Sequence, residues 1–438
     1  MSVVLGKYKS ALQHIQKNSP IDKSGIASAL GISLMTVNKI VNRLLEKSII
    51  VQCGKQEGRN GRRSDLFKFN PDLYLSIGLD IDEDQIIISA VNSDGACVSK
   101  QMFLYEHEKE RPASAGNIIR SIDKYSTAFI EQSNLDRNAV ATVGVAPHGI
   151  VDTEHGRCLL GTHLGGIIDL NLREELESVF HVPVYVDDPA RSLAYYEMKF
   201  GHGREVKNFI YLFVDKGVGS GIVIDGKIHL GASGMAGEIG HIIVNEDGER
   251  CKCGNYGCLE TVASAGNIIR KVKNGIEDRV MTKILDYCDG NLENLDLSVL
   301  REAADRSDKF ALNILDTIGS SLGKAVSILI NLFNPELILL GGEVSVLGQH
   351  LLQPVLRVTQ HNSLNLIHKS ALIKIVEHDQ FLDSISIAVE AFDKLFNDTD
   401  QVMLHMEAEG RGVKKSGKET FLDKLLSDIV PIKNRKER

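Results

Sequence analysis

The chain has 438 residues, of which 43% are hydrophobic and 25% charged, an ordinary composition for a globular protein of two or three domains. No run of about 18 apolar residues appears and the N-terminus lacks the apolar region of a signal peptide, so we expect a cytoplasmic protein without a membrane segment. Seven cysteines, three of them clustered, favour a reduced compartment and a metal site over disulfides.

The net charge of −8 conceals an opposite charge at the N-terminal end. Residues 1–70 hold twelve Lys and Arg against four Asp and Glu, a balance of +8, which leaves −16 for the rest of the chain. A basic N-terminal module on an acidic body predicts that nucleic acid is contacted at that end only.

Three short helical patterns occupy residues 8–47. Gly31 can adopt the left-handed conformation of a tight turn between the second and third helices, and Ser33 is a good N-cap for the third. This spacing predicts a helix-turn-helix whose third helix contacts base edges and phosphates. The candidate contact residues on it are Ser33, Met35, Thr36, Asn38, Lys39 and Arg43.

Two short strand patterns follow, at residues 49–52 and 66–69, joined by a basic loop between glycines. Such a loop is typical of a DNA-contacting wing, with Arg59, Arg62 and Arg63 as the candidate contacts. The alternative is an ordinary three-helix packing module with a solvated basic loop. We assign residues 1–72 to a winged helix-turn-helix.

The body of the chain repeats one order of elements. Its first half has apolar strand patterns at residues 75–81, 86–91 and 98–104, then a helical pattern at 118–130 and a strand at 140–146. Its second half has strand patterns at residues 209–214, 221–224 and 227–230, then helical segments and a strand at 337–340. The recurrence predicts a duplicated α/β domain with a cleft between its halves.

The Gly-rich stretch of residues 231–261 carries one histidine and three cysteines in close succession. The spacing of His241, Cys251, Cys253 and Cys258 suits a single tetrahedral zinc ion with one nitrogen and three thiolate ligands. A closed four-ligand site of this kind is structural, so we expect no activation of water by the metal. The alternatives are incidental cysteines, and a His241 that only donates a hydrogen bond.

The sequence GMAGEIGH followed by CKCGNYGCLE resembles the signature of the ROK family, which groups sugar-responsive repressors with bacterial sugar kinases. Residues 61–64 (GRRS) also resemble the linker-wing motif of the repressors. The resemblance extends over residues 8–396 and implies an actin-like, hexokinase-type body of two lobes that binds sugar in the cleft between them. Residues 73–396 would form this sugar-sensing domain, with a zinc loop at 241–258.

The resemblance also implies which side chains contact the sugar. Glu238, His241 and Glu260 match family positions, and carboxylates suit this role because each can accept two hydroxyl hydrogen bonds. His163 stands where family members often have a sugar-contacting Asn, and Asp188 replaces a second such Asn. His241 would then both bind zinc and present its ring to the sugar.

Two departures from the kinase pattern of the family predict that the chain is not an enzyme. Residues 80–85 (DIDEDQ) replace a glycine-rich phosphate loop, and acidic side chains there would repel ATP. Pro189 aligns with the Asp that acts as catalytic base, and proline cannot accept the proton. Lys216 also stands where the second phosphate loop usually has Thr. The alternative is a sugar kinase fused to a DNA-binding domain, with Asp188 as its base.

Residues 397–438 extend beyond the resemblance, and we expect a partly disordered appendage of unassigned role with one amphipathic helix near 421–429, which docks on a partner.

From the motifs together, we expect a transcriptional repressor of carbohydrate genes that binds operator DNA as a homodimer or dimer of dimers. A sugar effector in the cleft would change its affinity for DNA. Family repressors respond to xylose, glucose, N-acetylglucosamine or their phosphates, and the sequence does not select among them. A further alternative is control by a protein partner, with a vestigial cleft.

Overall fold

The computed structural model describes residues 3–57, 63–105, 114–408 and 421–427. Two of the predicted DNA-contacting residues, Arg59 and Arg62, lie outside these ranges. So do residues 409–420 and 428–438, on which the expectation of a disordered appendage rests. Among the described residues, no helix has both the length and the apolar character that a membrane span requires.

The N-terminal module is a winged helix-turn-helix, as predicted. In the turn between its second and third helices, Gly31 is left-handed with a φ of 61°, and Ser33 caps the third helix by accepting a hydrogen bond from the Thr36 N–H. The three strands pair antiparallel in the order β1-β3-β2. The elements are α1 (Val3–Asn18), β1 (Ile21–Asp22), α2 (Lys23–Leu30), α3 (Leu34–Glu46), β2 (Ile50–Glu57) and β3 (Arg63–Phe69).

The first lobe of the body is built on a five-stranded sheet of order β11-β7-β4-β5-β6. A separate antiparallel sheet, β8 to β10, is inserted after β7, and the sequence did not predict it. The elements of this lobe are β4 (Leu75–Ile81), β5 (Gln85–Asn92), β6 (Cys97–Leu104), α4 (Ala115–Gln132), β7 (Val140–Pro147), β8 (Ile150–Asp152), β9 (Arg157–Gly161), β10 (Ile167–Leu170), α5 (Leu172–Phe180), β11 (Val184–Val186) and α6 (Pro189–Lys199).

The second lobe is built on a sheet of order β14-β13-β12-β15-β16 and is richer in helices. Its elements, with the two C-terminal helices, are β12 (Phe209–Val214), β13 (Val218–Ile224), β14 (Lys227–Ile228), α7 (Leu259–Ala263), α8 (Ala265–Glu277), α9 (Ile284–Tyr287), α10 (Leu297–Asp305), α11 (Lys309–Phe333), β15 (Leu337–Gly341), α12 (Gln349–Asn362), α13 (Asn365–His368), β16 (Leu372–Ile375), α14 (Leu382–Ala408) and α15 (Phe421–Ser427).

The two sheets share one pairing pattern, which confirms the predicted duplication. In each, the first strand pairs antiparallel with the second and parallel with the fourth, and the fourth pairs parallel with the fifth. Each sheet has mostly buried strands and its own core. Parallel strands buried on both faces are what near-continuous apolar runs such as Leu337–Gly341 predict.

Each lobe contributes one helix that packs against the sheet of the other lobe. Helix α6 follows the last strand of the first sheet, yet its Leu193 and Ala194 pack with Phe209 of the second sheet. Helix α14 follows the second sheet, yet it packs against β4 and β7 of the first. Its backbone approaches so closely that a Cβ atom on Gly78 would overlap the carbonyl oxygen of Ser384. Glycine is therefore required in that central strand.

Buried ion pairs join α6 to α14. Arg191 Nε donates to Asp187 Oδ1 at 2.7 Å, and Lys394 Nζ lies 3.0 Å from Asp187 Oδ2 and 2.9 Å from Glu390 Oε1. Burial alone would raise the pKa of the Asp187 carboxyl, but Lys394 and Arg191 hold it well below its ordinary value. The network fixes the two helices to each other, because removing one partner would leave a buried charge uncompensated.

Helix α15 completes the core of the DNA-binding module. Leu422 and Leu426 are fully buried in a cluster that also contains Leu12 of α1 and Phe392 and Phe396 of α14. The expected amphipathic helix therefore exists, but its apolar face is buried within this chain and not on a partner.

We predict that Leu426→Ala destabilises this core by about 2–5 kcal/mol, because the truncation leaves a cavity among fully buried side chains. The matched control is Leu366→Ala in α13, since Leu366 is 87% exposed. Urea unfolding followed by circular dichroism should show a lower midpoint for Leu426→Ala only. Equal midpoints for the two variants would mean that α15 does not hold the module.

Candidate functional site

The loop between β14 and α7 folds back on itself and carries the Cys/His cluster, defined as His241, Cys251, Cys253 and Cys258. Two isolated β-bridges, Ile243 to Cys258 and Arg250 to Tyr256, tie its ends together. One ligand atom from each of the four residues lies within 4.8 Å of the others. The fold therefore brings together all four residues that the spacing singled out.

The dimensions of the Cys/His cluster fit a tetrahedral ion. A zinc–sulfur bond of about 2.3 Å at tetrahedral angles places two sulfur atoms about 3.8 Å apart. Cys253 Sγ lies 3.7 Å from Cys258 Sγ, and Cys251 Sγ lies 3.7 Å from His241 Nδ1. The cluster could hold a metal ion, and its four ligands would leave no open coordination position.

The five predicted sugar-contacting residues line one cavity between the lobes, named here the inner cavity. The first lobe supplies His163 from the segment between β9 and β10 and Asp188 from the start of α6, and the second lobe supplies the other three from the cluster loop and α7. The cavity lining includes His163, Asp188, Glu238, His241 and Glu260. Polar groups from both lobes thus converge on one small volume.

Two glutamates connect the Cys/His cluster to the inner cavity. Glu238 Oε2 lies 4.0 Å from Nε2 of His241, whereas the other ring nitrogen, Nδ1, faces Cys251. Glu260 Oε2 accepts a hydrogen bond from the Val218 N–H at 3.2 Å, and its Oε1 lies 3.9 Å from Cys251 Sγ. Burial, with the nearby Asp188 charge, raises the pKa of Glu238 to about 7.

His163 presents an unused ring nitrogen at this cavity. Its Nε2 is buried and has no hydrogen-bond partner among the described residues. Burial, with the charge of Lys252, lowers the pKa of His163 to about 4, so the ring is neutral at neutral pH. A neutral imidazole can donate to or accept from a hydroxyl, which fits the predicted role.

Asp188 is already engaged by its own helix. Its Oδ1 caps α6 by accepting hydrogen bonds from the N–H groups of Ala190 at 2.9 Å and Arg191 at 3.2 Å. Burial raises the pKa of the Asp188 carboxyl. Pro189 is the first residue of α6, where its missing N–H is tolerated. The two residues therefore begin a helix at the wall of the cavity.

Asp82 and Lys216, the residues that depart from the kinase pattern in the two phosphate loops, contact each other across the cleft. Lys216, at the tight turn between β12 and β13, forms an ion pair with Asp82, which lies between β4 and β5. Burial opposes ionisation of Asp82, but His148 and Lys216 lower the pKa of its carboxyl. The pair links the two loops with charges that satisfy each other.

The recognition helix α3 exposes part of the predicted DNA-binding set. Met35 is 72% exposed, and Asn38 and Lys39 are exposed beside it. Arg43 forms an ion pair with Glu46 at 2.9 Å. Exposed Ser33 and half-buried Thr36 share a 2.9 Å hydrogen bond at the N-terminal end of the helix. Arg63 is exposed at the start of β3.

Sequence reasoning missed His148, which lines the inner cavity and is 9% exposed. Its Nε2 lies 2.8 Å from Asp80 Oδ1. Burial lowers the pKa of His148, but Asp80 and Asp82 together raise it to about 10. The available signal was its place directly after β7, since the carboxyl ends of parallel strands are where α/β folds bind ligands.

Two family profiles match the chain, and curated relatives match most of it. The ROK family profile matches residues 76–384, and a profile described as winged helix-turn-helix DNA-binding matches residues 9–51. The xylose repressor of Caldicellulosiruptor bescii is 29% identical over 356 residues, covering 80% of this chain and 86% of that protein. The DNA-binding transcriptional dual regulator NagC of Escherichia coli is 29% identical over 342 residues, covering 78% and 81%.

Solved structures agree with the sequence matches. A ROK family transcriptional regulator, a homolog of the E. coli MLC protein, aligns with a TM-score of 0.74 at 25% identity, covering 90% of this chain and 98% of that one. A ROK family glucokinase from Streptomyces griseus, in complex with glucose and AMPPNP, aligns at 0.62 and 25% identity over 72% of this chain and 99% of that one. Because the ROK profile matches well over half of the residues, the chain belongs to the ROK family.

Proposed function

We propose that the chain is a transcriptional repressor of carbohydrate-metabolism genes, and that a sugar or sugar derivative bound in the cleft changes its affinity for operator DNA. The observation that carries this proposal is the inner cavity, where polar side chains of both lobes converge in a chain that begins with a helix-turn-helix. Relatives named as repressors match both parts of the chain. A regulator of genes of this kind acts in the cytoplasm.

The DNA contact is assigned to the exposed face of α3 and to the wing. Asn38 can read a base edge, whereas Lys39 and the wing arginines Arg59, Arg62 and Arg63 suit phosphates. A homodimer, or a dimer of dimers, would place one recognition helix in each half of a pseudo-palindromic operator. Ser33, Met35, Thr36 and Arg43 complete the proposed set.

The effector is assigned to the inner cavity. Glu238 and Glu260 accept hydroxyl hydrogen bonds, and His163, Asp188 and His241 surround the same volume. The names of the relatives make xylose and N-acetylglucosamine the first sugars to test. Because both lobes contribute side chains to the cavity wall, a bound sugar would stabilise one relative position of the two lobes.

Helix α14 can transmit a change in the relative position of the lobes to the DNA-binding module. This helix packs on the first sheet, and its Phe396 lies in the core of the module, where its ring is 5.1 Å from that of Phe69. A coupling free energy of about 1–3 kcal/mol between sugar and DNA is enough for regulation.

We assign a structural zinc ion to the Cys/His cluster, and three domains to the chain: 1–72, 73–396 and 397–438. The thiolates select zinc over harder ions, and the metal would hold His241 against the cavity. Helix α14 crosses the second of these boundaries, and α15 returns residues of the last segment to the core of the first.

We propose that the chain does not phosphorylate its sugar. The Asp82–Lys216 pair joins the two loops between which a kinase of this family would hold phosphates, and the residue at the base position is Pro189. The alternative is a kinase with Asp188 as base. It is disfavoured because Oδ1 of that residue is engaged in capping α6.

We predict that the wild-type chain shifts DNA from its own upstream region and that Asn38→Ala weakens this binding by about 1–3 kcal/mol, the usual value of one base contact. The control is Asn365→Ala, an exposed Asn of the body. Gel-shift titrations with and without a sugar panel measure both effects. If no DNA is shifted at low salt under any condition, the repressor assignment is wrong.

Replacing a cavity carboxylate should separate sensing from DNA binding. In Glu238→Gln we expect sugar binding weakened at least tenfold by calorimetry, with operator affinity in the absence of sugar unchanged, because the substitution removes one carboxyl oxygen acceptor from the cavity and changes no residue of the DNA-binding module. Glu246→Gln, in the same loop but exposed, is the control. Sugar-dependent ATP hydrolysis that Asp188→Ala abolishes would instead establish the kinase.

The metal assignment predicts one zinc ion per chain, lost in Cys253→Ser. Sugar affinity should fall with it, because His241 and the two glutamates lose their support. Cys53→Ser removes an exposed thiol outside the cluster and should change neither quantity. Metal analysis of both purified variants tests the assignment, and equal zinc contents would refute it.

A further inference from the structure

A second cavity, named here the acidic cavity, lies in the same cleft and encloses about 890 Å³. Seven acidic side chains line it against three basic ones, Lys216, Arg301 and His148. Because Lys216 is already paired with Asp82, the remaining lining is strongly negative. The cavity therefore repels anions such as nucleotides and attracts cations.

Three residues from separate elements meet at one end of this cavity. Asp80 lies near the end of β4, His148 directly follows β7, and Asp383 lies in the first turn of α14. One ligand atom of each lies within 4.8 Å of the others. They are 5%, 9% and 4% exposed, so this is a buried group and not a patch of surface acids.

The buried carboxylate of Asp383 lacks a hydrogen bond. Its Oδ1 has no hydrogen-bond partner in the described part of the chain, and neither does Nδ1 of the neighbouring His378. The approach of His378 Nε2 to that oxygen is 3.7 Å, too long for a hydrogen bond. A buried carboxyl oxygen without a hydrogen-bond partner is costly, so a cation bound to it would remove this penalty.

We propose that Asp80, His148 and Asp383 bind a divalent transition-metal ion, at a site separate from the Cys/His cluster. Two carboxylates and one imidazole, whose ring proton the ion displaces, form a harder donor set than three thiolates, and such a set suits Mn²⁺ or Fe²⁺. Three protein ligands leave coordination positions open to water from the acidic cavity. The proposal is independent of the sugar and DNA assignments, since it rests on another cavity.

The site also lies where the lobes are joined. Asp80 belongs to the first sheet, whereas Asp383 belongs to the helix that follows the second lobe. An ion that binds both therefore fixes the N-terminal end of α14 against β4, next to the close contact between Ser384 and Gly78. We expect the bound ion to stabilise the body of the protein.

The test is a titration of the zinc-loaded, full-length protein with Mn²⁺, in which electron paramagnetic resonance measures the free ion. We expect saturable binding of one Mn²⁺ per chain, weakened about tenfold or more in Asp383→Asn and in His148→Gln. Glu377→Gln, which removes another carboxylate of the acidic cavity, should bind as the wild type does.

Thermal unfolding separates the site from a folding defect. Without Mn²⁺, Asp383→Asn should be about as stable as the wild type, because the amide is uncharged and has nearly the same shape as the carboxyl group that it replaces. With Mn²⁺, only the wild type and Glu377→Gln should gain stability. If Asp383→Asn does not fold, His148→Gln decides the question. Non-saturable binding by the wild type, or equal binding by the wild type and the folded variants, would overturn the proposal.

Discussion

The seating of α14 on the first sheet is the contact on which the rest of the molecule depends. The helix lies so close to β4 that Gly78 has no room for a side chain, and Lys394 anchors it to Asp187 through a buried ion pair. Its first turn borders the cleft, and its Phe392 and Phe396 enter the core of the DNA-binding module. A single helix thus contacts both lobes and the module, and we propose that a change in the cleft reaches α3 through it.

The Cys/His cluster has a comparable role at smaller scale. The glycine-rich loop that carries it has little apolar surface with which to fold, and the zinc ion that we propose would supply the missing stabilisation. His241 and Glu260 belong both to the surroundings of the cluster and to the wall of the inner cavity. A change in the cluster is therefore expected to move the carboxylates of that cavity.

Much of this arrangement was readable from the sequence because it is encoded locally. The apolar runs predicted strands such as Phe209–Val214, and the repeated order of elements predicted two equivalent sheets. The spacing of the cysteines predicted their convergence. The pair formed by Asp82 and Lys216 was not predictable, since each residue appeared as a separate departure and only the cleft brings them together.

Other features were missed because their signals are weak or distant. The strands β8 to β10 are 3 to 5 residues long and give too few alternations to detect. His148 is a single histidine after an apolar strand, and its partners lie in two other segments. The seven residues of α15 have an apolar face whose partner, the module around Leu12, lies at the other end of the chain. That partnership has a consequence for synthesis: the helix-turn-helix module cannot complete its core until residues 421–427 have been made, so its final folding step comes after synthesis of the body.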